Sequence, residues 1–178
     1  MAHALTAVRL LLIAPIATGF AQPHLIGATT LAGLLFLAIV TDAFDGRVAR
    51  MTGTASAAGQ VFDHTTDCLF VTSGLLGAAF VGQAPWILPV LVVTAFTQYV
   101  LDSYFLHRQK QLRMSTLGRW NGILYFVPLV LIASVRLPLF DFLEPLLRTC
   151  VTLFAYGLIA STLVSMADRA LAPRIAAR

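Results

Sequence analysis

The fold of this chain is decided by residues 31–67, which read LAGLLFLAIVTDAFDGRVARMTGTASAAGQVFDHTTD. The stretch begins with an apolar run of the kind that spans a membrane as a helix. Residues 51–54, Met-Thr-Gly-Thr, interrupt the helical pattern, and a second apolar helix is predicted to begin at residue 57. The sequence therefore predicts two adjacent helices joined by a short turn, with acidic residues near the turn on both.

The rest of the chain has the same apolar character. Of its 178 residues 58% are hydrophobic and 11% are charged, against roughly a quarter charged in ordinary soluble domains. The mean hydropathy is +0.84. This composition excludes a disordered chain, collagen, a coiled coil and almost any water-soluble fold. It predicts an integral membrane protein in which residues 1–178 form one domain.

Six apolar runs are long enough to span a bilayer, which needs about 20 helical residues. They predict an all-α bundle of six transmembrane helices at residues 5–21, 25–50, 57–81, 86–106, 119–136 and 145–168. With six spans, both termini lie on the same side of the membrane.

The basic residues indicate which side that is. Ten of the twelve fall on the side of the termini: Arg9, Arg47, Arg50, Arg108, Lys110, Arg113, Arg119, Arg169, Arg174 and Arg178. The opposite side carries Arg136 and Arg148. Because positive residues are retained in the cytoplasm, both termini are predicted to be cytoplasmic. The basic excess is thus explained by topology, and no nucleic-acid partner is expected.

The acidic residues are concentrated in the deciding stretch. Four of the eight in the chain lie within 26 positions, at Asp42, Asp45, Asp63 and Asp67. Asp42 and Asp45 are three apart and Asp63 and Asp67 are four apart, so each pair shares one face of its helix. We expect both pairs to point at one site near the cytoplasmic end of the bundle.

Four carboxylates in a membrane segment are costly and usually mark function. Two divalent cations would bring a charge of +4 against their −4, and oxygen ligands suit Mg²⁺ or Mn²⁺. Paired metals assist displacement at phosphorus. The alternative is a set of structural ion pairs with Arg47 and Arg50, although two arginines do not neutralise four aspartates. His64, next to Asp63, is expected to face elsewhere as a packing or supporting residue.

These residues carry a resemblance to a known family. The pattern Asp42-x-x-Asp45-Gly46-x-x-Ala49-Arg50, eight residues and then Gly59-x-x-x-Asp63-x-x-x-Asp67 resembles the motif of the CDP-alcohol phosphotransferases at all eight defining positions. The opening residues Leu5, Thr6, Arg9 and Pro15 resemble the family's first helix. For that reason we interpret the first segment as a mature helix and not as a signal peptide.

The resemblance implies a homodimer with six transmembrane helices that transfers a phosphatidyl group from CDP-diacylglycerol to a small alcohol and releases CMP. It implies metal ligation by Asp42, Asp45 and Asp63, and a role for Asp67 as ligand, general base or both. The residues that it assigns to the CDP site are Thr6, Arg9, Gly46, Ala49, Arg50 and Gly59.

The acceptor alcohol is less well marked. Arg108, Arg113, Arg119 and Asp102 are candidates for binding it, although the basic loop is also explained by topology alone. Glycerol 3-phosphate is the first choice, yet the Gly-Lys-x-Lys-Thr segment of the family's glycerol-phosphate members is absent. Serine, an inositol phosphate, choline and phosphatidylglycerol remain alternatives, as does a soluble CDP-alcohol with diacylglycerol.

Two other classes of function stay open on the residues alone. A proton- or cation-coupled transporter also uses carboxylates inside the membrane. An inactive scaffold would keep the motif for structure only. The enzyme interpretation places the protein in a bacterial cytoplasmic membrane, with the active site facing the cytoplasm.

Overall fold

A computed structural model describes the backbone of residues 2–51, 56–103 and 116–171. Side chains are described for residues 6–44, 51, 56, 59–103 and 116–171. Within these ranges the chain is helical and contains no strand, so the all-α prediction is confirmed. The helices are α1 (Ala2–Ala21), α2 (Ala28–Met51), α3 (Ala57–Phe80), α4 (Ile87–Leu101), α5 (Thr116–Leu124), α6 (Phe126–Val135) and α7 (Glu144–Leu171), with a 3₁₀ helix at Pro138–Leu143 before α7.

The predicted fifth helix, 119–136, differs most from the structure. It begins earlier, at Thr116, and is divided at Tyr125 into α5 and α6. Pro128 explains the break, because proline has no N–H to donate to the Leu124 carbonyl four residues earlier. The predicted connection after this helix is also helical, since Pro138 opens the 3₁₀ turn that leads into α7.

The core of the bundle lies where α1 contacts α2 and α3. Ile16 and Phe20 of α1 are fully buried together with Leu31 of α2 and Phe70 of α3. Gly77 of α3 allows the closest approach, since a Cβ there would lie 2.6 Å from the carbonyl oxygen of Ala17. Small residues commonly allow such backbone approach between membrane helices. The α1–α3 contact therefore depends on the absence of a Cβ at Gly77 as much as on the buried apolar side chains.

Arg136 fastens the far end of α1. Its guanidinium donates to the carbonyl oxygens of Gly19 and Phe20 at 2.6 and 2.8 Å, and to Oε1 of Gln83 at 2.6 Å. Carbonyls at a helix C-terminus lack partners within the helix, and a cation there also complements the helix dipole. Arg136 thus joins the end of α1 to the connection between α3 and α4.

The outer surface of the helices is strongly apolar. Large side chains that are mostly exposed include Leu11, Phe36, Phe80, Leu153 and Val164. A soluble monomer rarely exposes so many, whereas a lipid-facing surface requires them. By length and composition, two described segments are able to cross a membrane, Thr116–Val135 and Pro138–Leu171. Shorter apolar stretches occur at Thr6–Ala21, Ala28–Phe44 and Ile87–Leu101, and the six-span arrangement stays a prediction.

Candidate active site

Three of the predicted acids converge on one arginine. The fully buried Arg9 side chain extends from α1 and donates through Nη1 to Oδ1 of Asp42 on α2, at 2.6 Å. The same nitrogen contacts Asp67 of α3, and Nη2 contacts Asp63 one turn earlier on that helix. The i, i+4 spacing places both α3 carboxylates on the face that meets α1. The structure therefore brings Asp42, Asp63 and Asp67 together, as their spacing predicts.

Among the side chains that the structure describes, the charge in this cluster is unbalanced. Arg9 supplies one positive charge against three carboxylates, which leaves an excess of about two negative charges if all three are ionised. The carboxylates are not sealed off, because the side chains of Asp42, Asp63 and Asp67 are 39%, 28% and 26% exposed. A partly open group of carboxylate oxygens with excess negative charge fits a hard divalent cation.

His64 belongs to the same group of possible ligands. Asp63, His64 and Asp67 each offer one ligand atom, and these atoms lie within 4.8 Å of one another. The imidazole Nδ1 is 3.7 Å from Oδ2 of Asp63. The prediction that His64 faces elsewhere is therefore wrong, because its ring reaches back to its neighbour's carboxylate. The sequence feature that could have marked His64 as part of the cluster was its position next to a motif aspartate.

Two residues assigned to the CDP site lie at helix positions beside this cluster. Thr6 is buried on α1, one turn before Arg9. Gly59 lies in the first turn of α3, where its N–H donates to the side chain of Ser56 at 3.0 Å and caps the helix. The Arg9 side chain faces the carboxylates, and the role that these contacts support is to hold the three acids together.

The remaining candidates are only partly placed. The backbone of Asp45, Gly46, Ala49 and Arg50 is helical in α2, and their side chains lie outside the described residues. Arg108 and Arg113 lie outside them altogether. Asp102 caps the C-terminus of α4, and Arg119 is exposed on α5.

The carboxylates form part of the wall of a cavity of about 400 Å³. Helices α2 to α7 all contribute to this wall, which is mainly apolar, with side chains such as Val71, Val92 and Phe96. Binding cavities for small molecules commonly have this size and lining. Arg119 is part of the same wall, so the structure joins one predicted acceptor residue to the acidic cluster.

The cavity also contains functional candidates that the sequence analysis missed. Arg169 of α7, counted only as a cytoplasmic base, lines it and places its guanidinium carbon 5.0 Å from the ring centre of Tyr99. Tyr99 of α4 and Asn121 of α5 are buried in the wall. No sequence pattern marked Tyr99 or Asn121 as part of a site.

A helical bundle with an apolar outer surface and an acidic cluster beside a small-molecule cavity is typical of a membrane protein with a hydrophilic reaction or transport site. Comparison with known proteins makes this specific. The chain belongs to the CDP-alcohol phosphatidyltransferase family, whose sequence profile matches residues 1–168. The family comprises transferases of phospholipid biosynthesis, so the predicted resemblance is confirmed.

Individual relatives fall into two kinds. The chain is 33% identical over 97 residues to a probable phosphatidylglycerophosphate synthase of Mycobacterium tuberculosis, found in strains CDC 1551 and H37Rv. It is 35% identical over 92 residues to a CDP-diacylglycerol–serine O-phosphatidyltransferase of Encephalitozoon cuniculi.

These matches are partial in both directions. They cover 53% and 50% of this chain, and 46% and 23% of the respective relatives, so the chain matches less than half the length of either. No solved structure shows a significant match.

Proposed function

We propose that the protein transfers a phosphatidyl group from CDP-diacylglycerol to a small hydroxyl acceptor and releases CMP. The observation that carries this proposal is the convergence of Asp42, Asp63 and Asp67 from two helices on the wall of one mainly apolar cavity. The substrate has a water-soluble nucleotide part and a lipid part, and both parts must be able to reach the reaction site. Family membership supports the same reaction class.

Two divalent cations, Mg²⁺ or Mn²⁺, would be held by Asp42, Asp45, Asp63 and Asp67. When bound, they would neutralise the diphosphate and stabilise the departing phosphate. The described carboxylates fit this use because they are oxygen donors in excess over the single Arg9 charge. The residues that would line the space for CDP are Thr6, Arg9, Gly46, Ala49, Arg50 and Gly59.

Asp67 carries the proton transfer in this proposal. The acceptor oxygen forms a bond to the phosphorus nearest the diacylglycerol, while the bond from that phosphorus to the bridging oxygen breaks. The bridging oxygen leaves with CMP, and the acceptor proton passes to the Asp67 carboxylate. Arg9 orients the Asp67 carboxylate through its hydrogen bond. A positioned base of this kind contributes typically 10²–10⁴-fold.

Glycerol 3-phosphate is our first choice of acceptor. Arg119 and Arg169 line the cavity and suit an anionic group, with a guanidinium fork that matches phosphate. The name of the mycobacterial relative points to the same acceptor, while that of the Encephalitozoon relative points to serine. Serine, inositol phosphate, choline and phosphatidylglycerol are therefore the competing acceptors to assay, and Arg108, Arg113 and Asp102 are further candidates for acceptor binding.

The proposed enzyme has six spans with both termini in the cytoplasm of a bacterial cell, and it works as a homodimer in the cytoplasmic membrane. The placement of the acidic cluster supports a cytoplasmic site. Asp42 lies in the second half of α2 and Asp63 in the first third of α3, on either side of the turn that joins them.

The experiment is CMP release by purified protein in detergent with CDP-diacylglycerol, a panel of acceptors, and Mg²⁺ or Mn²⁺. We expect metal-dependent release that stops with EDTA and is fastest with glycerol 3-phosphate. An absence of metal-dependent CMP release with every acceptor would contradict the proposal. Proton or cation flux in proteoliposomes without CMP release would favour the transporter.

A further inference from the structure

Three polar atoms on residues of the cavity wall lack a hydrogen-bond partner within the described part of the chain. They are the hydroxyl of Tyr99, Nδ2 of Asn121 and Oε1 of Gln98. Tyr99 is 5% exposed and Asn121 is 3% exposed, so both side chains lie away from the outer surface of the bundle. Leaving a buried polar group unpaired is unfavourable, and such groups in native proteins need an explanation.

The two amides show an informative pattern. Gln98 donates through Nε2 to the carbonyl of Met166 at 3.1 Å, and Asn121 accepts through Oδ1 from Ser161 at 2.6 Å. Both partners are on α7. In each side-chain amide, one polar atom is hydrogen-bonded and orients the group, while the other polar atom has no partner among the described residues. The unpaired halves are one donor, on Asn121, and one acceptor, on Gln98.

A donor, an acceptor and a phenol together match a hydroxyl group. An alcohol O–H donates one hydrogen bond and accepts others, which is what Gln98 Oε1, Asn121 Nδ2 and the Tyr99 hydroxyl offer. An ammonium group fits less well, because it needs acceptors or a carboxylate. The acidic residues on this wall are those of the cluster, Asp42, Asp63 and Asp67.

Tyr99 lies between the two charged parts of the cavity, which are the acidic cluster and Arg169. Its ring centre lies 6.4 Å from that of His64, which adjoins the carboxylates, and 5.0 Å from the guanidinium carbon of Arg169. An acceptor that reacts at the carboxylates and places its anionic group near Arg169 must pass Tyr99. The middle of such an acceptor would then lie beside Tyr99, on the wall that also carries Asn121 and Gln98.

We propose that Tyr99, Asn121 and Gln98 bind a hydroxyl group of the acceptor other than the one that reacts. They would thereby select a phosphorylated polyol over an acceptor with an amino or ammonium group. This inference rests on the proposed function for its substrate, and it assigns acceptor choice to residues outside the family motif. A site built to hydrogen-bond a hydroxyl rejects an analogue that lacks it, because its buried polar groups are then left unpaired.

The test compares two acceptors, glycerol 3-phosphate and 3-hydroxypropyl phosphate, which share a phosphate and a primary hydroxyl but differ in the middle hydroxyl. We expect the wild type to favour glycerol 3-phosphate in kcat/KM by tenfold or more. Tyr99→Phe removes only the phenol oxygen and should reduce that preference by roughly 3- to 10-fold. Asn121→Asp, which keeps the acceptor for Ser161 but loses the unpaired donor, should reduce it as well.

Tyr156→Phe is the matched control, because Tyr156 is 60% exposed on α7 and lies outside the cavity wall. Its preference should equal that of the wild type. A wild type that does not discriminate between the two acceptors, or a preference unchanged in both Tyr99→Phe and Asn121→Asp, would overturn the inference. Faster reaction with serine than with either phosphate would overturn it too.

A binding measurement separates this inference from the proposed function. Equilibrium dialysis of the two radiolabelled phosphates against protein in detergent needs no turnover. If no acceptor releases CMP, the proposed function fails. Tighter binding of glycerol 3-phosphate that weakens in Tyr99→Phe would still support the hydroxyl site. Equal binding of both phosphates would contradict it, whatever the activity.

Discussion

Arg9 is the residue to whose role the structure adds most. Its assignment to the CDP site stays a prediction, and the structure shows in addition that its guanidinium lies among Asp42, Asp63 and Asp67 and joins α1 to two other helices. The planar guanidinium has five donors in a fixed arrangement, so it can bind carboxylates on more than one nitrogen at once. Arg9 therefore fixes the relative positions of the acids from two helices.

Replacing Asp67 by asparagine tests its role as the base. Asp67→Asn keeps the shape of the side chain but cannot take the acceptor proton, so CMP release should fall by about 10²–10⁴-fold. Binding of CDP-diacylglycerol, measured separately with radiolabelled lipid, should largely survive. Asp141→Asn, an exposed change in the 3₁₀ helix, is the control and should leave turnover unchanged. Loss of both turnover and lipid binding in Asp67→Asn would instead indicate a metal-binding or structural role.

Removing the Arg9 charge should destabilise the protein most when no metal is present. Arg9→Gln leaves three carboxylates without their cation, and we expect a loss of about 2 kcal/mol or more in thermal unfolding with EDTA. Mn²⁺ should recover part of that loss, because a bound cation would neutralise the same carboxylates.

Arg148→Gln is the matched control for Arg9→Gln. Arg148 forms an exposed i, i+4 pair with Glu144 at 2.8 Å, and such surface pairs contribute about 0–1 kcal/mol. A loss of stability in Arg9→Gln no larger than in this control would show that Arg9 does not hold the acids together.

At the scale of the helices, the contact between α1 and α3 positions the site. Gly77 brings the two backbones together at Ala17, and two turns away along α1 the Arg9 side chain meets the α3 carboxylates. Arg136 fastens the other end of α1. A shift of α1 relative to α3 should therefore disturb the acidic cluster directly.

Gly77→Ala tests this dependence. The added Cβ would lie 2.6 Å from the Ala17 carbonyl oxygen and 3.0 Å from Cβ of Phe20, so the helices must separate. We expect a loss of about 1–3 kcal/mol in thermal unfolding, with reduced CMP release. Gly157→Ala on α7 is the control, because a Cβ there meets nothing within 4 Å. Wild-type stability and activity in Gly77→Ala would show that the close approach is not needed.

At the scale of the whole molecule, the apolar outer surface and the distribution of basic residues lead to one topology prediction. With six spans and cytoplasmic termini, the connection after Arg136 lies outside the cytoplasm. An alkaline phosphatase fusion after Leu137 should be active, and a green fluorescent protein fusion at the C-terminus should fluoresce. Phosphatase activity from a C-terminal fusion would indicate an odd number of spans or the opposite orientation.

Much of the fold could be read from local patterns. Apolar runs and their breakers located the helices to within a few residues, because each helix satisfies its own backbone hydrogen bonds and needs no partner to be recognised. The exception was the break at Tyr125, where Pro128 interrupts a run that is apolar on both sides. The hydropathy pattern does not show that one residue of the run lacks the N–H needed for a helical hydrogen bond.

The acids of the candidate site were equally visible, because a charge in an apolar helix is costly and their spacing of three and four residues places each pair on one face. The sequence by itself therefore determined the helical class, the family and the acidic pairs. Only the tertiary structure decided that Arg9 joins those acids, that His64 is among them, and that Tyr99, Asn121 and Arg169 share their cavity. The physical reason is that these contacts join residues distant in the chain, such as Arg9 with Asp67 and Tyr99 with Arg169, and depend on how the helices pack.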